Sequence, residues 1–368
     1  MGLTYVHITE GGSMKKKRII ASVLTLGLID GLVLSGCGKA EVVDSEVDFH
    51  TDLMAAYIAD DLNNIADYAV GDEEKSIPNP IVLDFSDDIS DEADSYVIEI
   101  ADNEKFENSK IISGLAETSY SYINPLLGED IYFRGATSED SLKKARTIHH
   151  YHVTETGPRN LIVDGLTNVR DIGGKESSLV EGGYIKQGLY YRGAAFDDIT
   201  DEGKEEIYDH LGVRAEIDLR DEALCNGPYM DGVEYYAISI PSGTEPTRFE
   251  EFADEYCEIF DIISNAGEKP VYLHCKAGAD RTGICTFMLL TVCGASYEDI
   301  ARDYLFTNFS THGQRTLDSE FENWWNKLDN FEGDTKADKA KSWMMSKGIP
   351  EETVEKIRAT FVEGYEAE

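Results

Sequence analysis

From about residue 158 to the end of the chain, apolar residues recur with spacings that alternate between those of strands and helices. Short apolar runs at 189–192, 213–219, 235–240 and 271–274 predict buried strands. Residues 249–264 show the spacing of an amphipathic helix, whereas 282–292 are apolar on almost every side and predict a covered, central helix. Thr200 and Ser296 precede two further helical runs as N-caps. This alternation predicts an α/β domain over 158–368.

Residues 76–155 carry a different pattern. Runs at 81–85, 96–100, 120–123 and 131–134 alternate apolar and polar residues, and turn residues separate them. This succession predicts a small β-sandwich domain and resembles a fibronectin type III-like architecture, with an irregular β-rich linker as the alternative. His149, His150 and His152 fall near its end, where we expect solvent-exposed side chains rather than a metal site.

The amino-terminal residues have the layout of a targeting signal. Four basic residues at 15–18 precede a mostly apolar stretch at 19–34, which is typical of a secretory signal, with an uncleaved membrane helix as the alternative. Leu34-Ser35-Gly36-Cys37 resembles the lipobox of bacterial lipoproteins. That resemblance implies cleavage before Cys37, lipid on its thiol, and a place on the extracellular face of the bacterial cell membrane. Residues 1–36 are therefore interpreted as upstream read-through (1–13) plus signal, and the acidic stretch 37–75 as a tether, in which 52–68 could instead form a helix.

Composition narrows the function further. The chain carries 33 Lys and Arg against 71 Asp and Glu, a formal charge of −38, which repels nucleic acid. Any polyanion-binding site must therefore be locally positive. The six cysteines show no metal-type pairing, so we expect no metal. Cys285 and Cys293 are predicted to be buried thiols, and the pairing of Cys225 with Cys257 stays open, as does the oligomeric state.

A loop joins the predicted strand 271–274 to the central helix, with Cys275 at its start and Arg281 at its end. A nucleophilic thiol must be deprotonated, and the helix start, Arg281 and the Thr282 hydroxyl can each stabilise a thiolate. The same groups suit the phosphate oxygens on which transition-state charge develops. We therefore predict Cys275 as a nucleophile on phosphate monoesters. The predicted phosphate-binding residues are Lys276, Ala277, Gly278, Ala279 and Thr282.

Three segments together resemble one family. His274-Cys275-x5-Arg281-Thr282-Gly283 matches the signature of cysteine-dependent protein tyrosine phosphatases. The stretches 168–174 (Asn-Val-Arg-Asp-Ile-Gly-Gly) and 217–220 (Ile-Asp-Leu-Arg) resemble upstream motifs of its bacterial branch, whose members act on phosphotyrosine and phosphoinositides. The resemblance covers about 158–363. It implies a tyrosine phosphatase-like central sheet flanked by helices, a phosphocysteine intermediate and no cofactor.

The resemblance also assigns roles to side chains around the loop. It favours Asp280 as the acid that protonates the leaving group. The alternatives are a purely structural role for Asp280 and Asp218 as the acid. Supporting roles fall to His274, which orients the loop backbone, and to residues that brace the loop through buried ion pairs. These bracing residues are Arg170, Asp171, Asp218 and Arg220.

Lys276 bears on the substrate. The string His-Cys-Lys-Ala-Gly resembles phosphoinositide phosphatases, in which that lysine meets a second phosphate, although Ala279 replaces the second lysine of that group. The alternative is a solvated Lys276 with no contact to substrate. We expect a phosphorylated protein or an inositol phospholipid as substrate, with phosphoinositide or inositol polyphosphate preferred. The rival hypotheses are a surface-binding or adhesion lipoprotein with an inactive phosphatase domain, and sulfur transfer or arsenate reduction on a related cysteine loop.

Overall fold

The computed structural model describes residues 40–90, 92–242, 248–311 and 313–367. The expected signal peptide and the lipid-bearing Cys37 lie outside the described residues. None of the helices in these four ranges is both long and apolar enough to cross a membrane.

A six-stranded sheet lies at the centre of the C-terminal region, with the strand order β14-β13-β15-β12-β9-β8. Strands β12 to β15 run parallel to one another. Strand β9 pairs antiparallel with β12, and β8 pairs antiparallel with β9. Two short strands, β10 and β11, pair separately. The strands are β8 (Arg159–Asn160), β9 (Arg170–Asp171), β10 (Glu176–Ser177), β11 (Gly183–Tyr184), β12 (Tyr190–Gly193), β13 (Ala215–Asp218), β14 (Glu234–Ala237) and β15 (Val271–His274).

Helices cover this sheet, and α6 is buried along its whole length, as its apolar sequence predicts. Thr200 and Ser296 cap α3 and α7 by accepting hydrogen bonds from the backbone N–H groups three residues further on, those of Gly203 and Asp299. The helices are α3 (Asp201–Glu205), α4 (Arg248–Glu251), α5 (Ala253–Ala266), α6 (Asp280–Val292), α7 (Tyr297–Phe306), α8 (Glu322–Lys327), α9 (Lys336–Ser346) and α10 (Glu351–Phe361). The α/β class predicted for this region is confirmed.

The N-terminal region is rich in strands. A five-stranded sheet has the order β1-β7-β6-β3-β4, and a two-stranded sheet pairs β2 with β5. Leu83, Phe85, Ile98 and Phe133, from both sheets, share one hydrophobic cluster. The finer expectation of a fibronectin type III-like β-sandwich domain stays a prediction. The elements are β1 (Glu41–Val47), α1 (Asp52–Ile58), β2 (Ile81–Asp84), β3 (Tyr96–Ala101), β4 (Lys110–Leu115), β5 (Ser119–Tyr122), β6 (Asp130–Ala136), α2 (Glu139–Leu142) and β7 (Thr147–Val153).

The stretch 37–75, interpreted above as a tether, is built into the fold from Glu41 onward. Strand β1 pairs in parallel with β7 through backbone hydrogen bonds that its acidic composition does not reveal. Helix α1, capped by Thr51, buries Met54 and Tyr57 completely in the core that surrounds α6. These two residues lie three apart and so share one helical face, while Asp52, Leu53 and Ala56 occupy the exposed side. The helical alternative for this stretch is therefore the correct one over 52–58.

The three histidines near the end of this region are paired with carboxylates. His149 lies 2.8 Å from Asp88, and Asp130 lies between His150 at 3.0 Å and His152 at 2.8 Å. All three belong to β7, a strand that the apolar pattern did not predict because histidines occupy positions 149, 150 and 152. The cysteines Cys225 and Cys257, whose pairing was open, are separate free thiols.

Candidate active site

Strand β15 delivers Cys275 to the carboxyl edge of the sheet, where β12 and β13 flank it on either side. In an open α/β sheet, ligands bind outside this edge, where loops meet helix N-termini. The loop from Cys275 leads into α6, which begins at Asp280. Residues 275–281, termed here the anion loop, therefore combine a thiol, a turn of backbone N–H groups and a helix start.

The Cys275 side chain is 3% exposed, at the floor of the anion loop. Burial alone would raise the pKa of its thiol, but hydrogen bonds from the Thr282 hydroxyl and from the N–H groups of Thr282 and Ala279, with the charge of Arg281, lower it below the ordinary value. The predicted thiolate-stabilising groups thus converge on one sulfur.

Two side chains turn the peptide groups of the anion loop. The Asn168 amide donates to the carbonyls of Ala277 at 2.9 Å and Gly278 at 3.3 Å, and Arg192 donates to Gly278 O at 2.7 Å. A trans peptide carries its N–H on the side opposite its C=O. Because both carbonyls are held from outside the loop, the N–H groups of Gly278 and Ala279 face its interior, where the thiol lies.

Gly278 is required by geometry. Its φ is +64°, and a Cβ added there would lie 2.2 Å from the carbonyl oxygen of Gly193 on β12. The anion loop therefore approaches the neighbouring strand too closely for any side chain at this position.

Among the described residues, the Arg281 guanidinium is held through one of its three nitrogens. Nη1 donates to the carbonyls of Leu219 at 3.0 Å and Ile240 at 2.9 Å, which lie beyond the ends of β13 and β14. These bonds leave Nε and Nη2 for a bidentate contact with a phosphate. Asp221, an exposed carboxylate 3.9 Å from Nη1, is a neighbour that sequence reasoning did not identify.

A buried ion network supports the anion loop from behind. Asp303 on α7 accepts from Arg170 Nε at 2.8 Å and from Arg192 Nη1 at 2.6 Å. Arg170 also donates to Asn168 Oδ1 at 2.6 Å. The bracing role expected for Arg170 is thus visible as a contact chain. Asp171 instead pairs with Arg159 at 2.7 Å and accepts the N–H groups of Gly173 and Gly188, away from the anion loop.

His274 is fully buried beside the nucleophile. Its Nδ1 lies 3.2 Å from the carbonyl oxygen of Cys275, and its Nε2 lies 3.0 Å from Glu216. Burial raises the pKa of the Glu216 carboxyl. Asp218, by contrast, is held by Arg220 at 2.8 Å; burial opposes its ionisation, but the arginine hydrogen bonds lower its pKa. Enclosed in this way, Asp218 is unsuited to protonating a leaving group, and its supporting role stays a prediction.

These three groups, Glu216, Asp218 and His274, are the one cluster of metal-type ligands in the described parts of the chain. Arg220 donates to both oxygens of Asp218, and Glu216 Oε1 lies 3.0 Å from His274 Nε2. These contacts occupy the cluster except for Glu216 Oε2, which is buried without a hydrogen-bond partner among the described residues.

Asp280 and Lys276 lie at the rim. The Asp280 side chain is 43% exposed and forms an ion pair with Arg315, from the segment after α7. Arg315 is itself largely buried, with its guanidinium 5.4 Å from the Tyr304 ring centroid. Lys276 is exposed. Sequence reasoning missed Arg315, Arg192 and Asp303, because each is far along the chain from the motif it serves.

Comparison with known proteins matches residues 161–366 to the tyrosine phosphatase family. A protein of Cupriavidus necator that bears a provisional tyrosine-protein phosphatase name is 26% identical over 178 residues, covering 41% of this chain and 64% of that protein. A tyrosine-protein phosphatase of Nostoc commune is 27% identical over 154 residues, covering 35% of this chain and 52% of that protein. The chain thus spans 64% and 52% of the lengths of these two relatives.

Solved structures were also matched. TpbA of P. aeruginosa, in complex with pTyr, is 16% identical, with 46% of this chain and 94% of that chain covered and a TM-score of 0.30. The core catalytic domain of the S. cerevisiae PP-IP phosphatase SIW14, in complex with citrate, is 19% identical, with 36% and 77% covered and a TM-score of 0.28. The family match spans more than half of the sequence and includes the whole anion loop and its supports, so this chain belongs to the tyrosine phosphatase family.

Proposed function

We propose that this chain hydrolyses phosphate monoesters through a phosphocysteine intermediate on Cys275. The observation that carries the proposal is the convergence of the Thr282 hydroxyl, inward N–H groups and Arg281 on one buried thiol, whose pKa they lower. A site that stabilises a thiolate in this way also offers its donors to the oxygens of a phosphate dianion. The two related proteins with tyrosine-protein phosphatase names support the same chemistry.

In the first step, the thiolate of Cys275 attacks phosphorus and the bond from phosphorus to the ester oxygen breaks. Asp280 gives its proton to that oxygen, so the leaving group departs as a neutral alcohol or phenol. In the second step, Asp280 takes a proton from water, the hydroxide attacks phosphorus, and the sulfur–phosphorus bond breaks. Inorganic phosphate leaves and the thiolate returns.

For the substrate, we propose that multiply phosphorylated inositol compounds are preferred and that phosphotyrosine is also hydrolysed. Support comes from charge: Arg281, Arg315 and the exposed Lys276 gather at the anion loop of a chain whose formal charge is −38. A second phosphate that meets Lys276 would gain roughly 1.5–3 kcal/mol, or about 10- to 150-fold in kcat/KM.

The activity is tested with the purified chain and an aryl phosphate. We expect turnover that vanadate inhibits, and no turnover by Cys275→Ser, which keeps the anion loop but lacks the thiol. Cys257→Ser is the matched control, because that thiol lies on α5 and hydrogen-bonds to the carbonyl of Lys347. Wild-type turnover of no phosphate ester would favour the rival hypothesis of a surface-binding lipoprotein.

The substrate preference is tested with Lys276→Ala. We expect a lower kcat/KM for an inositol polyphosphate and a nearly unchanged value for a phosphotyrosyl peptide, with the exposed Lys110→Ala on β4 as control. If both substrates lose equally, Lys276 tunes the loop, and phosphotyrosine becomes the better substrate class.

We also propose that the mature protein begins at an acylated Cys37 and lies on the extracellular face of the membrane. The lipobox-like sequence supports this, and β1 begins only four residues later. Cys37→Ser should shift the protein from the membrane fraction to the soluble fraction. Recovery of an intact peptide that spans Gly36 and Cys37 as the main mature form would refute it.

A further inference from the structure

We infer that Ser76, which lies outside the family-matched region, is a positioning residue for the anion loop, so that the chain before residue 158 completes the active site. The position of Ser76 behind the anion loop follows from contacts alone, and its effect on turnover rests on the proposed function. It changes the role of the N-terminal region from an accessory to a component of the catalytic unit.

Ser76 is 1% exposed and uses every polar group it has. Its hydroxyl donates to Glu74 and accepts the backbone N–H of Asn168 at 2.8 Å. Its carbonyl accepts from the side chain of Asn160 at 2.9 Å. A serine hydroxyl has a single proton. Because the hydroxyl donates this proton in its hydrogen bond to Glu74, a lone pair of the serine oxygen is left to accept the N–H of Asn168.

Asn168 transmits this contact to the anion loop. Its φ is +56°, a left-handed conformation that asparagine tolerates only when the surroundings hold it. Its Nδ2 then donates to the carbonyls of Ala277 and Gly278, the two groups whose orientation turns the loop N–H groups inward. Two hydrogen bonds therefore separate Ser76 from the backbone that surrounds the nucleophile.

The segment that carries Ser76 is itself seated firmly against the phosphatase region. The N–H of Gly71 donates to Asn308 O at 2.9 Å, and that of Lys75 donates to Phe309 O at 2.6 Å. A Cβ at Gly71 would lie 1.7 Å from Gly313 O, so the two backbones are in direct contact. Upstream, α1 is anchored in the core through Met54 and Tyr57. The segment that ends at Ser76 is thus fixed by backbone contacts with the residues that follow α7.

The test is Ser76→Ala in the full chain. The substitution leaves the Asn168 N–H buried without an acceptor, which shifts the balance of loop conformations by about tenfold. The readout is the rate of Cys275 alkylation by iodoacetamide across pH, which follows the thiolate and needs no turnover. We expect alkylation about tenfold slower near neutral pH and a midpoint displaced to higher pH. Arg281, the charged group that acts on the thiol, is unchanged.

Ser177→Ala is the matched control. Ser177 is also a buried serine whose hydroxyl donates to a carbonyl, that of Cys293, and accepts an N–H, that of Leu179. It lies at the opposite end of α6, about 20 Å away by the rise of that helix. A loss of thermal stability should be similar in both variants, whereas only Ser76→Ala should slow alkylation.

Glu74→Ala gives a second variant for the case in which Ser76→Ala does not fold, because Glu74 is only half-buried. It frees the serine hydroxyl to rotate, and a smaller slowing in the same direction is expected. Wild-type alkylation rates in both Ser76→Ala and Glu74→Ala would overturn the inference. If the wild-type chain hydrolyses nothing while Ser76→Ala slows alkylation, the proposed function falls and the positioning role stands.

Discussion

Asp303→Asn is the substitution for which the structure predicts the largest loss of stability at constant shape. Asp303 is 2% exposed and is the counter-charge of Arg170 and Arg192, which are 0% and 1% exposed. Asparagine keeps the volume but leaves two buried guanidinium groups facing a neutral side chain. Breaking a buried ion pair from one side costs about 3–5 kcal/mol. That is a large part of the roughly 5–15 kcal/mol that stabilises a typical domain.

The assay is guanidinium denaturation followed by circular dichroism, with Glu298→Gln as control. Glu298 pairs with Arg302 at 3.1 Å on the same helix, but its side chain is 69% exposed. We therefore expect a loss of no more than about 1 kcal/mol in the control. A loss for Asp303→Asn below about 1 kcal/mol, equal to that of the control, would refute the idea that this charge holds the network together.

The same network predicts a pH dependence. Burial opposes ionisation of Asp303, but Arg170, Arg192 and Lys175 together hold its pKa well below the ordinary value. A carboxyl with a depressed folded pKa contributes stability that is present above the unfolded value of about 3.9 and is lost as pH falls through the folded value. The difference in unfolding free energy between wild type and Asp303→Asn should therefore be constant near neutral pH and shrink below about pH 4.

Three further substitutions address the anion loop. Gly278→Ala should lower turnover about 100-fold through strain and the 2.2 Å approach to Gly193 O; Gly182→Ala, which has φ +70° but open space, should leave turnover unchanged. Arg281→Lys should lower kcat by about 100-fold or more, because a point charge cannot make the two-pronged phosphate contact, and a loss below tenfold would contradict that role. Asp280→Asn should slow alkyl phosphates about 100-fold more than activated aryl phosphates; equal slowing would move the acid role to another carboxylate, with Asp221 the nearest to Arg281.

Where the fold is fixed by local pattern, the sequence was sufficient. Strand β15 and helix α6 fall where the apolar runs predict them, at Val271–His274 and Asp280–Val292. The central part of the site follows from this, because a strand that runs into a loop and a buried helix places Cys275 near a helix start. Strand β1 was missed for the opposite reason: most of its residues are exposed, and backbone pairing with β7 creates the strand.

The supports of the site could not be predicted, because they depend on distant residues. Asp303 meets Arg192 across 111 positions, and Ser76 meets Asn168 across 92. Neither Ser76 nor Asp303 stands in a recognisable motif, and their chemistry becomes specific only when the fold brings their partners to them. Arg170 was predicted to brace the loop, but its carboxylate partner Asp303 was not.

The distribution of charge links these supports to the reaction. In a chain with a formal charge of −38, Arg170, Arg192, Arg281 and Arg315 gather around one loop. Asp303, Asp280 and Asp221 are the carboxylates that pair with them among the described residues, so four arginines meet three carboxylates. The excess of positive charge is thus concentrated where a phosphate dianion and a thiolate must coexist before attack. An acidic surface repels anions in general, while a recessed positive site attracts those that reach it, so the surface charge favours substrates that place a phosphate deep in the loop. The buried arginines are therefore both the braces of the anion loop and the source of its field, and a substitution such as Asp303→Asn tests the bracing role while increasing, rather than removing, the positive charge.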